Sequence, residues 1–219
     1  MEKLYYKISD DFGFHYLKYT PDNYVNGEKI PLVVFMHGAG ERGNPDGSEL
    51  DLVKKLGFLK HVDSGEKYPF MIVAPQCPNT DYWVNLVEYF DGFLDEVLRL
   101  NDNVDLSRVY LTGLSMGATA TWLWAYRSAE RFAAICPVCG EGISWIGGRL
   151  IKIPTMIFHG DCDSVISPHH SLSMATKINN NGGNAQLVFF AGVGHNAWDY
   201  TYDESLVNWF LSHKNDNLK

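Results

Sequence analysis

Continuous apolar runs recur along most of the chain, and each is short enough to form one strand. A strand whose two faces are both covered by helices reads as an unbroken apolar run, because neither face meets water. The runs predict six buried strands, at 31–36, 70–74, 109–112, 133–138, 154–158 and 185–190.

Helical periodicity lies between most of these runs. In residues 86–100, apolar side chains return near helical spacing, as on a helix that packs one face against a core. Further helices are predicted at 51–61, 116–126, 169–181 and 204–212. Strands that alternate with helices indicate an α/β fold with a mostly parallel sheet.

The N-terminal part has a different pattern. Residues 3–9 and 14–19 alternate apolar and polar side chains across Asp10, Asp11 and Gly13, which predicts a hairpin at the edge of the sheet. With the six buried strands, this gives an eight-stranded, mostly parallel, doubly wound sheet with helices on both faces. Residues 139–153 are too few for a helical crossover and a cap domain, so we expect no large cap.

Length, composition and charge narrow the class of protein. The 219 residues predict a single α/β domain over 1–219. No run is apolar over the roughly eighteen residues that a membrane span needs. The chain has a net charge of −8 and no Lys/Arg cluster, which argues against nucleic acid as a partner.

The first residues, Met-Glu-Lys-Leu-Tyr-Tyr-Lys, contain no apolar signal region, which predicts a cytoplasmic protein. A secreted protein whose signal peptide had been removed would show the same pattern. The oligomeric state stays open.

Four cysteines, Cys77, Cys136, Cys139 and Cys162, are too few for a disulfide scaffold in a chain of this length. Cys136 and Cys139 form a C-x-x-C motif, but the motif closes a predicted strand. It also has no second pair or histidine cluster to complete a zinc site. We therefore expect buried thiols, with no metal and no cofactor.

Ser115 lies in the segment 110–117, Tyr-Leu-Thr-Gly-Leu-Ser-Met-Gly, between a predicted strand and a predicted helix. Gly113 and Gly117 leave room where the two backbones approach each other. This is a G-x-S-x-G nucleophile elbow, which exposes the serine hydroxyl and directs the Met116 backbone N–H at a developing oxyanion. Ser115 is therefore the predicted nucleophile.

A glycine-rich loop, His37-Gly-Ala-Gly-Glu-Arg-Gly43, follows the predicted strand 31–36. Loops at the carboxyl end of a buried strand present unpaired backbone N–H groups to ligands. The loop is predicted to supply the second half of an oxyanion hole.

A serine nucleophile needs a base, and the base needs an acid that orients it. In this fold both follow the serine in the chain, the acid before the histidine. His195 follows the last predicted strand in a glycine-rich loop, whereas His169, His170 and His213 open or close helices. His195 is the predicted base.

Two carboxylates, Asp161 and Asp163, follow the strand predicted at 154–158. Asp161 stands close to the strand end, where an aspartate often caps a turn through its own backbone. Asp163 is the predicted acid, and Asp161 is the alternative because a shift of two residues lies within the error of loop prediction.

These motifs resemble the α/β-hydrolase superfamily, and within it the compact serine carboxylesterases related to feruloyl and acetyl-xylan esterases and to the so-called predicted peptidases. The resemblance spans most of the chain and rests on six segments, His37-Gly-Ala-Gly-Glu-Arg-Gly43, Ala74-Pro-Gln-Cys-Pro78, Gly113-Leu-Ser-Met-Gly117, Pro137-Val-Cys-Gly140, His159-Gly-Asp-Cys-Asp163 and Gly194-His-Asn-Ala-Trp198.

The resemblance implies that Asp163, as the last residue of an H-G-x-x-D pattern, is the acid, and that His195, in a G-H-x-x-W pattern, is the base. It also implies that the oxyanion contacts the N–H groups of Met116 and Ala39, with Gly40 as the alternative to Ala39. The proline often found in the acid loop appears here one residue later.

The constellation predicts a two-step acyl transfer through an acyl-enzyme on Ser115. An uncapped site suits a small-molecule or polysaccharide-linked ester. Trp83, Trp145 and Trp198 are expected in nearby loops, where their rings can stack on a sugar or a cinnamoyl group. We expect feruloyl or acetyl esters of plant cell-wall carbohydrate as substrates. The alternatives are a general short-chain carboxylesterase, a serine peptidase of the same fold and a non-catalytic binding module.

Overall fold

A computed structural model describes residues 1–9, 12–22 and 27–217. One sheet contains eight strands in the order β1-β2-β4-β3-β5-β6-β7-β8. The strands are β1 (Glu2–Lys7), β2 (Gly13–Tyr19), β3 (Ile30–Met36), β4 (Met71–Pro75), β5 (Val104–Leu114), β6 (Ala134–Val138), β7 (Thr155–Gly160) and β8 (Ala185–Phe190). Neighbours from β4 to β8 are parallel, whereas β2 is antiparallel to β1 and β4. The predicted sheet is confirmed.

The N-terminal hairpin is confirmed as the antiparallel pair of β1 and β2. Asp10 and Asp11, which the sequence places at its turn, lie outside the described residues.

Six α-helices occur in the described part of the chain. They are α1 (Gly57–Asp63), α2 (Trp83–Leu86), α3 (Phe90–Leu100), α4 (Met116–Arg127), α5 (His169–Asn180) and α6 (Glu204–Leu211). The helices predicted at 116–126, 169–181 and 204–212 are confirmed to within one residue at each end.

Two other predicted helices are divided, so those predictions are wrong in detail. The segment predicted at 51–61 is a 3-10 helix over Leu50–Lys55 followed by α1. The break occurs at Gly57, which has a φ of +61° and whose Cβ, if present, would lie 2.4 Å from the ring of Phe35. The segment predicted at 86–100 begins as α2 and passes through a 3-10 turn at Val87–Tyr89 before α3.

The core forms two layers, one on each face of the sheet. Along β3, Leu32 and Val34 pack into one layer and Val33 and Phe35 into the other, as the two-residue repeat of a strand requires. Helices α3, α4 and α5 cover the first layer, and α1 and α6 cover the second. Burial on both faces explains why β3 reads as an unbroken apolar run.

Strand β8 was predicted as buried, and this is wrong. It is the edge strand, and Val188 and Phe189 are 36% and 41% exposed. An apolar run alone does not distinguish a central strand from an edge strand, because both favour β-branched and aromatic residues.

The carboxyl ends of the parallel strands meet at one edge of the sheet, where the loops that carry the candidate residues converge. Between β6 and β7 the chain forms only a short 3-10 segment at Ser144–Arg149, so the expectation of no large cap is confirmed. Among the residues described, no helix has the length and apolar character needed to cross a membrane.

Candidate active site

Ser115 occupies a strained turn between β5 and α4. Its φ is 52° and its ψ is −120°, a region that costs a non-glycine residue of order 1–3 kcal/mol. A Cβ on Gly113 would lie 2.4 Å from the Gly117 carbonyl oxygen, and one on Gly117 would lie 2.0 Å from the carbonyl oxygen of Met36. The need for glycine at both positions is thus confirmed.

A continuous hydrogen-bonded path joins the predicted nucleophile, base and acid. Ser115 Oγ lies 2.8 Å from His195 Nε2, and His195 Nδ1 lies 2.7 Å from Asp163 Oδ2. The carboxylate only accepts, so Nδ1 carries the hydrogen and Nε2 is free to accept the serine proton. The first distance suits a hydrogen bond between nucleophile and base, and the second suits one between the base and the acid that orients it.

Asp163 is buried and remains ionised for identifiable reasons. Burial raises the pKa of its carboxyl group, but the hydrogen bond from His195 and the N–H groups of Ile166 and Val165 outweigh that effect, so the pKa lies below its usual value. Both N–H groups donate to Oδ1, at 3.0 and 2.8 Å. A charged acceptor is therefore held against Nδ1 of the imidazole.

Asp161 has a different environment. It is exposed, and its Oδ1 accepts the backbone N–H of Gly192 at 2.7 Å. This bond ties the end of β7 to the loop that carries His195. Of the two carboxylates that the sequence left as alternatives, the structure brings Asp163 to the imidazole.

Sequence reasoning missed His159, the first residue of the H-G-x-x-D pattern. Its Nε2 lies 3.1 Å from Asp163 Oδ2 and 2.9 Å from the Ile166 carbonyl oxygen, while its Nδ1 lies 2.7 Å from Ser171 Oγ. Burial lowers its pKa, which favours the neutral ring. The four-residue spacing to Asp163 was the available signal.

The glycine-rich loop after β3 lies against the elbow. A Cβ on Gly38 would be 2.9 Å from the Leu114 side chain, so Gly38 permits a close approach to the residue before Ser115. Ala39 and Gly40 begin a 3-10 turn, Ala39–Glu41, and both are exposed. Met116 is the first residue of α4, where backbone N–H groups have no partner within the helix.

His37 fixes one peptide of this loop. Its Nδ1 lies 2.6 Å from the Gly38 carbonyl oxygen, and its Nε2 accepts the Cys77 backbone N–H at 2.9 Å. The Gly38 carbonyl and the Ala39 N–H belong to one trans peptide and point in opposite directions. Burial lowers the pKa of His37 to about 4, so the ring is neutral in this position.

Of the three predicted tryptophans, only Trp198 is brought to the triad. Its ring meets the His195 imidazole edge-on, with 5.1 Å between the ring centres. The prediction that Trp83 lies in an accessible loop is wrong. It begins α2, is fully buried, and donates its indole N–H to the His37 carbonyl at 3.0 Å.

Trp145 is 66% exposed, but its ring meets Tyr126 near the end of α4, with 5.5 Å between the ring centres. At 1.5 Å per helical residue, Tyr126 lies about 16 Å along the axis from Ser115. Trp145 lies in the connection that follows β6, as the sequence predicts, and its role in substrate binding stays a prediction.

One group of possible metal ligands occurs among the described residues, and it overlaps the triad. Ligand atoms of Cys139, Asp163 and His195 lie within 4.8 Å of one another. Burial raises the pKa of the Cys139 thiol to about 12, and the thiol contacts the His195 carbonyl oxygen at 3.2 Å. A protonated thiol is a poor metal ligand, so we read this sulfur as a packing group behind the imidazole.

The sequence also matches a known protein family. Residues 87–205, more than half of the chain, match the Dienelactone hydrolase family. The chain belongs to the dienelactone hydrolase family. The matched region includes Ser115, Asp163 and His195, whereas the glycine-rich loop lies before it. The α/β-hydrolase resemblance is therefore confirmed. No curated protein matches the chain.

Solved structures share the fold. A thermostable esterase is 27% identical over 97% of this chain and 63% of its own, with a TM-score of 0.76. Est1E from Butyrivibrio proteoclasticus is 16% identical over 96% of both chains, with a TM-score of 0.69. An acylaminoacyl peptidase from Pyrococcus horikoshii is 17% identical over 89% of this chain and 37% of its own, with a TM-score of 0.68. The chain thus spans less than two thirds of the thermostable esterase.

Proposed function

We propose that the chain is a serine carboxylic-ester hydrolase whose residues 1–219 form one catalytic domain. The observation that carries the proposal is the hydrogen-bonded path from Ser115 through His195 to Asp163, placed at a strained elbow. The dienelactone hydrolase family match and the 27% identical thermostable esterase support a hydrolase of the serine esterase type.

In the proposed reaction, His195 Nε2 takes the Ser115 proton as Oγ attacks the ester carbonyl carbon. Asp163 stabilises the imidazolium that forms and keeps Nδ1 protonated. The tetrahedral intermediate collapses to an acyl-enzyme, and Nε2 donates its proton to the departing alcohol oxygen. Water, deprotonated by His195, then attacks the acyl carbonyl and restores the free serine.

The developing oxyanion is proposed to accept the backbone N–H groups of Met116 and Ala39. Each such donor is worth about 10²- to 10³-fold in rate. The bond from His37 to the Gly38 carbonyl supports Ala39 over Gly40, because it turns the Ala39 N–H away from His37. Arg42 donates its Nε hydrogen to the Ala39 carbonyl at 3.1 Å, which fixes the next peptide, whose N–H belongs to Gly40.

For the substrate, we propose acetyl or feruloyl esters of plant cell-wall carbohydrate. Two observations support it. The carboxyl edge of the sheet has no large cap, so an acyl group on a bulky alcohol has access to Ser115. Trp198 also lies edge-on to His195 and is half-buried, which leaves part of an indole beside the reacting atoms.

The test compares wild type and Ser115→Ala on 4-nitrophenyl acetate, methyl ferulate and acetylated xylan, with initial rates recorded for each. Ser115→Ala should lower kcat by at least about a thousandfold on any substrate that wild type cleaves. Ser64→Ala is the matched control, because its hydroxyl only donates to the Lys60 carbonyl at the end of α1. Failure of wild type on all three esters would refute the esterase and direct attention to peptides.

A further inference from the structure

A cavity of about 480 Å³ opens between the loops that follow β6 and β7. Its size lies in the range of ordinary small-molecule sites. One wall comes from the β6 loop, and the other comes from the start of α5 and the residues before it. The lining residues used below are Ile143, Ser144, Ser167, His170 and Ser173.

The loop after β6, which forms one wall of the cavity, contacts the first turn of α4 next to the nucleophile elbow. The Glu141 backbone N–H donates to Thr119 Oγ1 at 3.1 Å, and Thr119 lies in the first turn of α4, just after Ser115. A Cβ on Gly140 would be 2.4 Å from the Ala118 side chain, so this loop packs directly on that turn. The loop that forms this wall is therefore attached to the first turn of α4, which begins directly after Ser115.

The opposite wall is formed by residues that follow Asp163 in the chain, and one backbone hydrogen bond connects this segment to the Asp163 carboxylate. Asp163 Oδ1 accepts the Ile166 backbone N–H at 3.0 Å, and Ser167 is the next residue. His170 Nδ1 lies 3.1 Å from the Gly142 carbonyl oxygen and links the two walls. The cavity is thus attached to both the serine and the acid ends of the triad, on the same edge of the sheet.

Most of the exposed lining surface is carbon, and the lining carries no carboxylate, amine or guanidinium group among the described residues that form it. Gly142 and His169 also line the cavity. Three serine hydroxyls each donate one hydrogen bond and accept others. Because the Gly142 carbonyl only accepts, the hydrogen of neutral His170 is on Nδ1 and its Nε2 is an acceptor. Ile143, 47% exposed, adds one aliphatic surface, and no Phe, Tyr or Trp occurs among the described residues that line the cavity.

We propose that this cavity is the subsite for the alcohol part of the ester, and that it binds a neutral, hydroxyl-rich group such as a sugar ring. Sugar hydroxyls alternate as donors and acceptors, which the serines and His170 match, and a sugar's aliphatic face suits Ile143. A cinnamoyl ring is best held by a stacked aromatic side chain, and none occurs among the described residues that line this cavity. The inference rests on the proposed esterase function, because it assigns the leaving alcohol of that reaction.

Ser173→Trp tests the subsite by filling it from an exposed position of α5. The readout is kcat/KM for acetylated xylo-oligosaccharides divided by kcat/KM for 4-nitrophenyl acetate, which has no sugar. Contacts with a non-reacting part of the substrate raise kcat/KM for the larger ester, so the ratio should fall at least about tenfold. Leu172→Trp is the matched control: it adds an indole at the neighbouring exposed position, which does not line the cavity, and should leave the ratio unchanged.

A milder variant, Ser144→Ala with Ser167→Ala, removes two hydroxyls without adding bulk. It should lower the ratio about fivefold to thirtyfold, given about 1 kcal/mol for each hydrogen bond lost. An unchanged ratio in Ser173→Trp overturns the subsite, as does an equal loss on both esters. Wild type that cleaves 4-nitrophenyl acetate but not the acetylated sugar also overturns it.

A direct measurement of sugar binding tests the subsite independently of ester hydrolysis. Xylotriose titrated into Ser115→Ala should shift amide NMR signals of the β6 loop and the start of α5, and the shifts should vanish when Ser173→Trp is added. If wild type cleaves no ester but xylotriose still binds there, the esterase proposal fails and the sugar subsite stands. If no signal moves, the sugar subsite fails whatever the esterase assay shows.

Discussion

His159 and His195 share one carboxylate oxygen. Nε2 of His159 lies 3.1 Å from Asp163 Oδ2, the atom that His195 Nδ1 contacts at 2.7 Å. The Ile166 carbonyl also faces His159 Nε2 and only accepts, so that nitrogen carries the hydrogen. Ser171 then donates its hydroxyl hydrogen to His159 Nδ1. A buried histidine whose lowered pKa favours the neutral ring thus contacts the same carboxylate oxygen as the base.

His159→Leu is expected to lower kcat about tenfold to a hundredfold with little change in KM. Loss of this contact removes one of the groups that position Asp163 Oδ2, while the two N–H groups on Oδ1 remain. The carboxylate should therefore shift slightly, and small displacements of a catalytic group cost rates of this order. Steady-state kinetics on 4-nitrophenyl acetate measures the effect, and urea unfolding checks the fold. Ser171→Ala should have a smaller effect in the same direction, since it removes only the bond that orients His159. An unchanged kcat in His159→Leu would contradict this positioning role.

The two neighbouring aspartates give a matched pair. Asp163→Asn should lower kcat by about 10³- to 10⁴-fold, because an amide next to Nδ1 favours the wrong tautomer of His195. Asp161→Asn should lower kcat less than about threefold, because the amide oxygen can still accept the Gly192 N–H. Initial rates of the two variants decide between the carboxylates. The reverse order would identify Asp161 as the acid.

The pattern of residues close together in the sequence was sufficient to predict the strands, helix and loops that carry Ser115 and His195. The strand, glycine and helix signals around Ser115 placed the elbow, and a loop directly after the last strand placed His195. These predictions worked because each rests on a pattern of neighbouring residues in the chain. Gly113 packs against Gly117 within the turn, although the tightest approach to Gly117 comes from Met36 in β3.

Features set by distant residues were not predictable in the same way. Trp83 reads as a loop residue, yet its indole N–H is bonded to the carbonyl of His37, which is 46 positions away. The break before α1 depends on the ring of Phe35 in another strand. His159 looked like part of a motif, but its contact with Ser171 appears only when α5 packs beside β7.

The strain at Ser115 predicts a difference between two inactive variants. Ser115→Gly and Ser115→Ala both lose the hydroxyl and its bond to His195. Glycine adopts a φ of 52° without the penalty that a Cβ brings. Ser115→Gly should therefore be about 1 kcal/mol more stable than Ser115→Ala, after allowing for the greater entropy of glycine in the unfolded chain. Urea unfolding at neutral pH measures the difference, and equal stabilities would show that the elbow is unstrained.

His37 predicts how stability depends on pH. The folded ring has a pKa of about 4, against an ordinary value of 6.5, because burial disfavours its charged form. Between these values the unfolded chain binds a proton that the folded chain does not, so stability falls as the pH falls. The full difference corresponds to about 3 kcal/mol, of which about 2 kcal/mol is lost by about pH 5.

The measurement is the free energy of unfolding in urea at neutral pH and at about pH 5. His37→Gln keeps an amide that can donate to Gly38 and accept from Cys77, so it should lose about 2 kcal/mol less than wild type over this interval. His61→Gln, at a half-exposed ring on α1, should keep the wild-type loss. An NMR titration adds a direct check, because a His37 imidazole that titrates near its ordinary pKa in the folded protein would rule out this source of acid instability.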